Sequence, residues 1–279
     1  MIKIITDTAS DITLKQANQM DITVLPISIA FDEGPYNQFE DEEFTQFYEK
    51  LESSEKSPTT SLISPGEYLD FFEKAKENGD SVIVIPISSK LSGSFQSAEL
   101  AKNMSEYDNI HIIDAHQVVI GQRLLVEHAV RLRDEKKSVE EIVAAVTDVS
   151  KRIRLYAKLD TLKYLVKGGR ISKTAGFMGT TLNIKPLVSL QNGSVSAVGK
   201  ARGRDGANKA LLKFINNDFN PDPAFPFCFG YTSSRELMDV FADLAITELK
   251  LSSVNIYPIG GVIGTHVGPS GVAAVWVEK

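Results

Sequence analysis

The sequence predicts an α/β protein in two parts, a parallel α/β domain over residues 1–150 and a mixed α+β domain over residues 151–279. Three observations carry this expectation. Up to about residue 150, short apolar β-rich runs alternate with helical patterns, the mark of a parallel βαβ sheet. Beyond it, Gln191-Asn192-Gly193 lies between two strand-like runs and signals a tight hairpin, hence antiparallel pairing. Charge divides at the same place. Residues 151–209 hold thirteen Lys or Arg against two acids, a balance of +11, and the rest of a chain of net charge −6 is therefore −17.

Met1-Ile2-Lys3-Ile4-Ile5-Thr6-Asp7 reads as a first strand and turns polar too soon for a secretory leader. Leu14, Ala17 and Met20 follow at helical spacing. Residues 22–31 are β-rich but interrupted by Pro26, which points to an edge strand or a bulge. Phe44, Phe47, Tyr48 and Leu51 mark an amphipathic helix. Residues 56–61 read as a loop. Ser64-Pro65-Gly66-Glu67 then joins a capping box to a proline in the first helical turn, and Gly79 ends that helix. The apolar run at 83–87 is a buried strand, followed by the serine-rich loop 88–94, a helix over 93–104, a strand at 110–114 and a long helix from about Gln117. Ser138-Val139-Glu140-Glu141 is a second capping box, opening a helix towards Ser150.

In the second part, 154–159 reads as a strand, 160–166 as a short helix, and 184–190 with 194–199 as the hairpin. A helix from Gly206, a strand at 225–231, a helix over 233–249 and strands at 254–259 and 272–277 complete it. The last two strands flank 260–269, read as a glycine-rich loop carrying His266.

Composition narrows the class. With 43% hydrophobic residues the chain can bury a sizeable core, and its single cysteine, Cys228, excludes an internal disulfide framework and a cysteine-based zinc site. No apolar run reaches the length of a membrane span, so the expectation is a cytoplasmic protein. The basic segment suggests a surface for an anionic partner. It carries no nucleic-acid motif, which places nucleic acid last among the candidates.

The loop after residue 87 offers Ser88, Ser89, Ser92 and Ser94 at a helix N-terminus but no acid or histidine, so it is suited to holding an anion rather than attacking one. Capping of the helix by Ser92 or Ser94 uses the same atoms, and both readings stand. Thr8, Ser10, Ser61, Ser92 and Ser94 could converge on one polar pocket mouth, or serve only as turns and caps. His266, flanked by glycines, could donate to a carboxylate or phosphate, or be structural. Arg170, Arg202 and Arg204, with Lys167, Lys173 and Lys200, form a candidate docking patch. There is no dinucleotide fingerprint, Walker lysine loop, nucleophile elbow or metal-ligand spacing. This argues against independent catalysis.

Five ordered motifs resemble the DegV family of bacterial fatty-acid-binding proteins, which includes the binding subunit of fatty acid kinase. They are Thr6-Asp7-x-Ala9-Ser10-Asp11; Thr60-Ser61; Ile87-Ser88-Ser89-x-Leu91-Ser92-Gly93-Ser94-x-Gln96-Ser97-Ala98; Gly168-Gly169-Arg170-Ile171; and Gly264-x-His266-x-Gly268-Pro269. The resemblance implies a DegV-like two-domain fold with one long-chain fatty acid in a tunnel between the domains, and no other cofactor. It implies that Thr60, Ser61, Ser92, Gly93, Ser94 and His266 surround the carboxylate. It also implies that a separate ATP-dependent kinase subunit phosphorylates that carboxylate, with Arg170 and Arg202 serving the kinase or the head group, and that a membrane surface is a transient partner. The chain would then be a carrier rather than an enzyme. A small-molecule phosphotransferase or hydrolase using the same anion pocket is the alternative. Ala115-His116-Gln117-Val118-Val119-Ile120-Gly121 departs from the small hydroxyl residues usual in the family and bears on the choice of acyl chain.

Overall fold

The computed structural model describes residues 1–38, 40–171 and 183–279. Lys173 of the expected basic patch lies outside the described residues. In chain order the elements are β1 (Ile2–Asp7), α1 (Leu14–Gln19), β2 (Thr23–Leu25), β3 (Ser28–Phe31), β4 (Gly34–Tyr36), α2 (Asp41–Ser53), β5 (Thr59–Ser61), α3 (Pro65–Asn78), β6 (Ser81–Ile85), α4 (Ser94–Ser105), β7 (Ile110–Ile112), α5 (Val119–Asp134) and α6 (Val139–Arg152). They continue with β8 (Ile153–Lys158), α7 (Lys163–Lys167), β9 (Ile184–Gln191), β10 (Ser194–Arg202), α8 (Gly203–Asn217), β11 (Phe227–Tyr231), α9 (Arg235–Leu249), β12 (Val254–Pro258), α10 (Gly261–Val267) and β13 (Val272–Val277).

The apolar runs predicted as buried strands form a parallel four-stranded sheet in the order β2-β1-β6-β7. Residues 82–85 of β6 are at most 1% exposed, as a strand covered on both faces requires. Local signals place the helices around it. Ser64 and Ser138 each accept from the backbone three residues on, within complete capping boxes, and Gly79 ends α3 at φ 67°. Pro26 does more than mark an edge. It separates β2, at the rim of the parallel sheet, from β3, which pairs antiparallel with β4 and β5 in a three-stranded sheet. Residues 59–61, expected as loop, are the edge strand of that sheet, too short and too polar to carry a strand signal alone.

The second large sheet is mixed, in the order β10-β9-β8-β13-β11-β12. Asn192 and Gly193 adopt positive φ (50° and 80°) and close the β9–β10 hairpin, with Ser194 opposite Gln191. Side chains alternate across the sheet. Tyr156 and Leu187 face a core shared with α8 and α9, in which Trp276 stacks on Phe227 at 5.8 Å. Leu155, Ala157, Val188 and Leu190 face the other way, into a core continuous with the parallel sheet and α5.

A second prediction needs correcting. Residues 260–269 are not a loop: Gly261–Val267 is helix α10, packed against α2, α7, β3 and β5. Its glycines lower helix propensity by about 1 kcal/mol each, which masked it in the sequence. Packing supplies the compensation. A Cβ on Gly264 would lie 2.6 Å from the Tyr48 hydroxyl and 2.8 Å from the Phe47 ring.

Trp276→Ala should lower unfolding free energy by about 3–5 kcal/mol, because a fully buried aromatic stack is lost. Urea denaturation measures this, and a change below about 1 kcal/mol would contradict the packing described.

Candidate functional site

The cavity-facing side of the mixed sheet does not pack solidly against the rest of the molecule. Between them lies a cavity of about 390 Å³, within the range of small-molecule sites. Its walls are mostly Leu, Ile, Val and Ala, drawn from β8, β9, β13, α10 and the start of α5. Its polar atoms come from Thr60, Ser61, Ser92, Arg170 and His266, from the backbone at Gly93, and from Ser189 and Thr232. Of the predicted site residues, the structure brings Thr60, Ser61, Ser92, Gly93, Arg170 and His266 to this one cavity.

Each arrives on a different element. Thr60 is central in β5, held by its pairing with Ile29. His266 sits in the last turn of α10, and its Nε2 lies 3.0 Å from Thr60 Oγ1, a contact across 206 residues of chain. The first turn of α10 is held from afar: Asp11 Oδ1 accepts from Gly260 N at 3.0 Å, Gln38 Oε1 accepts from Gly261 N, and the Tyr48 hydroxyl donates to Ile259 O at 2.8 Å. Against the opposite edge of the ring stands Gly168, where any Cβ would overlap His266 Nδ1. The imidazole is thus clamped between Thr60 and a glycine.

The N-cap of α4 is Gly93, which offers no side-chain cap, rather than Ser92 or Ser94. Ser92 Oγ accepts from Ser94 N, the first helical residue, at 3.3 Å and contacts Ser94 Oγ at 3.0 Å. Ser94 itself is fully buried behind this contact and does not line the cavity, so of the two serines only Ser92 lines it. The serine loop is anchored twice at its entry. Asp7 Oδ2 accepts from Ile87 N at 2.8 Å, and Ser88 Oγ donates to Gly193 O in the β9–β10 turn at 2.8 Å. Arg170 crosses from the chain after α7, its Nε donating to Leu91 O at 3.1 Å and its Nη1 to Gly168 O.

Thr8 and Ser10 do not join the cluster. Thr8 Oγ1 accepts from Ile27 N, and Ser10 Oγ donates to Asp7 O. Their hydroxyls are used in turn chemistry inside the first part of the chain. Arg202 is exposed at the end of β10, away from the cavity wall. Nearby, Arg204 and Lys185 add to burial in holding the Lys158 ammonium down to about 8, while its Nζ donates to Asn208 Oδ1 at 2.6 Å.

Sequence reasoning did not single out the apolar wall, Leu155, Ala157, Val188 and Leu190 among it. The period-two alternation in β8 and β9 was present, but nothing local says which face meets an empty space. Gly168 was legible only as a turn; its role as the floor beneath His266 is tertiary.

Burial, then the Arg170 guanidinium, pushes His266 down to about 4, so the ring is neutral at pH 7. Between about 4 and 6.5 the unfolded chain holds more protons at this residue than the folded one, so its effect on stability is increasingly unfavourable as pH falls through that window. Asp7, raised to about 6 by burial, acts in the opposite sense: between 3.8 and about 6 the folded state holds the extra proton.

Arg170→Gln should raise the His266 pKa towards 6.5, read by NMR titration of the imidazole; an unchanged midpoint would remove Arg170 as a cause. Gly168→Ala should drive the ring off Thr60, and an unaltered His266 imidazole spectrum would show that the clamp is absent.

The whole chain, residues 1–279, matches the family described as "Uncharacterised protein, DegV family". A DegV domain-containing protein of Caldanaerobacter subterraneus is 32% identical over 278 residues, covering 100% of this chain and 99% of that one. Among solved structures, a fatty-acid-binding DegV family protein from Thermus thermophilus superposes with a TM-score of 0.86 at 27% identity, over 100% of this chain and 99% of that one. A protein from Eubacterium ventriosum described as binding stearic acid superposes with a TM-score of 0.85, also at 27% identity and the same coverage. With its motifs, its fold and its full length in agreement, the chain belongs to the DegV family.

Proposed function

We propose that the protein binds one long-chain fatty acid, its acyl chain in the cavity beneath the mixed sheet and its carboxylate at the Thr60–His266 cluster. The observation that carries this is the cavity itself: a mainly aliphatic chamber of about 390 Å³ whose hydroxyl, imidazole and guanidinium groups include a cluster from β5, the serine loop, α10 and Arg170. Each methylene removed from water contributes about 0.8 kcal/mol, so a long chain supplies most of the affinity and the polar cluster sets orientation. Ser61, Ser92 and the backbone at Gly93 offer hydrogen bonds to a carboxylate at the start of α4, where the helix dipole favours negative charge. Ser94 supports Ser92 from behind. Neutral His266 can donate one hydrogen bond without burying a second charge, and Arg170 supplies the positive field. The fatty-acid ligands of the Thermus and Eubacterium relatives support this reading.

On the same reading, residues 1–150 and 151–279 act as two units closing on the ligand. The protein is a carrier that presents the carboxylate to a separate ATP-dependent kinase for acyl-phosphate formation. Exposed Arg202 and Arg204, at the corner between β10 and α8, suit the docking of an acidic partner surface.

Native mass spectrometry of gently purified protein should show one fatty acid per chain, and a ligand-free spectrum would overturn the reading. His266→Ala should weaken retention of a reloaded fatty acid by about tenfold or more, the value of one hydrogen bond to a charged group.

A further inference from the structure

A second cavity, of about 430 Å³, adjoins the first, and His116, Gln117, Lys151, Arg154, Tyr156 and Asn192 are among its lining residues. Leu155, Ser189 and Leu190 belong to the walls of both. The two chambers differ in chemistry. The first is aliphatic away from its polar cluster, whereas the second mixes cations, amides and hydroxyls and is open to solvent beside exposed Lys151. Its one carboxylate, Asp218, already accepts from the Tyr156 hydroxyl, and Arg154 is paired with Glu278. Lys151 and His116 remain to meet an incoming oxygen, His116 Nδ1 lying 3.3 Å from Asp114 Oδ2.

Besides His116 Nδ1, two buried polar atoms in this wall have no hydrogen-bond partner among the described residues. They are Ser189 Oγ, on the shared strand, and Gln117 Oε1, immediately before the cavity-lining Val118 and Val119; the residues are 2% and 3% exposed. Folded proteins rarely leave such atoms unpaired; a bound hydroxyl could donate to either, whereas a carboxylate could only accept from the Ser189 hydroxyl. A uniformly apolar tunnel would reject a chain carrying a second polar group, since that group would be buried without a partner. Here an aliphatic chamber adjoins a wet, cationic one.

We infer that the acyl ligands of this protein include fatty acids with a second oxygen function, a hydroxyl or carboxylate remote from the first, whose aliphatic stem fills the first cavity while the second oxygen lies in the polar one. The inference rests on the fatty-acid reading above, and one experiment separates the two. Delipidated full-length protein is titrated with saturated fatty acids of twelve to eighteen carbons, and with the ω-hydroxy acids and α,ω-dicarboxylic acids of the same lengths. The expected result is that at one or more lengths the oxygenated acid binds within about threefold of its plain counterpart. Lys151→Met should weaken the dicarboxylic acid by about threefold, as befits an exposed ion pair, and leave the plain acid unchanged. If every oxygenated acid binds more than about tenfold more weakly than its plain counterpart, as burial of an unpaired hydroxyl entails, the inference fails and fatty-acid binding stands. Equal loss of both acids in Lys151→Met would likewise overturn it. If no plain fatty acid binds, both readings fall together.

Discussion

The arrangement depends on how helix α10 is held. Two of its seven residues, Gly261 and Gly264, are glycines set against Phe47 and Tyr48 of α2, and its opening N–H groups are satisfied by Asp11 and Gln38 from the other end of the chain. A helix this short, with this many glycines, has no stability of its own. It exists because Phe47 and Tyr48 lie where side chains on Gly261 and Gly264 would otherwise project. The same close packing brings His266 within hydrogen-bonding distance of Thr60. The polar cluster and the joining of the sheets are therefore one event in packing, not two.

The serine loop shows the same economy in smaller form. Ser92 accepts from the first residue of α4 and lines the cavity, Ser88 ties to the β9–β10 turn, and Ser94 backs Ser92. The buried Asp7 carboxylate holds the loop's entry through Ile87 N and also accepts from Gln122 Nε2 at 3.1 Å. The costly burial of that charge, visible in its raised pKa, keeps the ends of β1 and β6 aligned.

What was legible in the sequence was local. Capping boxes at Ser64 and Ser138, the apolar run of β6 and the Asn192-Gly193 turn each carry their geometry within a few residues, and each formed as read. The family motifs grouped Thr60, Ser92 and His266, which line one cavity, because a recurrent constellation encodes tertiary proximity that no single stretch reveals. What escaped depended on distant partners: a helix disguised by glycine, an edge strand of three polar residues, and the buried placement of Ser94 behind Ser92. The segregation of charge was real in the sequence, but it does not say which cations face one another. Lys158, counted among the basic residues, proved to be buried under α8 and bonded to Asn208.

Strand β13 is the last element of the chain and lies in the interior of the mixed sheet, between β8 and β11. During vectorial synthesis, β8 and β11 would therefore emerge with unpaired edges and wait for a strand still to be made. The aliphatic floor of the cavity has no closed wall in that interval, and His266 is itself only a few residues older than the strand that completes it. Order of synthesis thus leaves the cavity without one of its walls until β13 is made, and makes the half-built sheet the point at which the nascent chain is most exposed to aggregation.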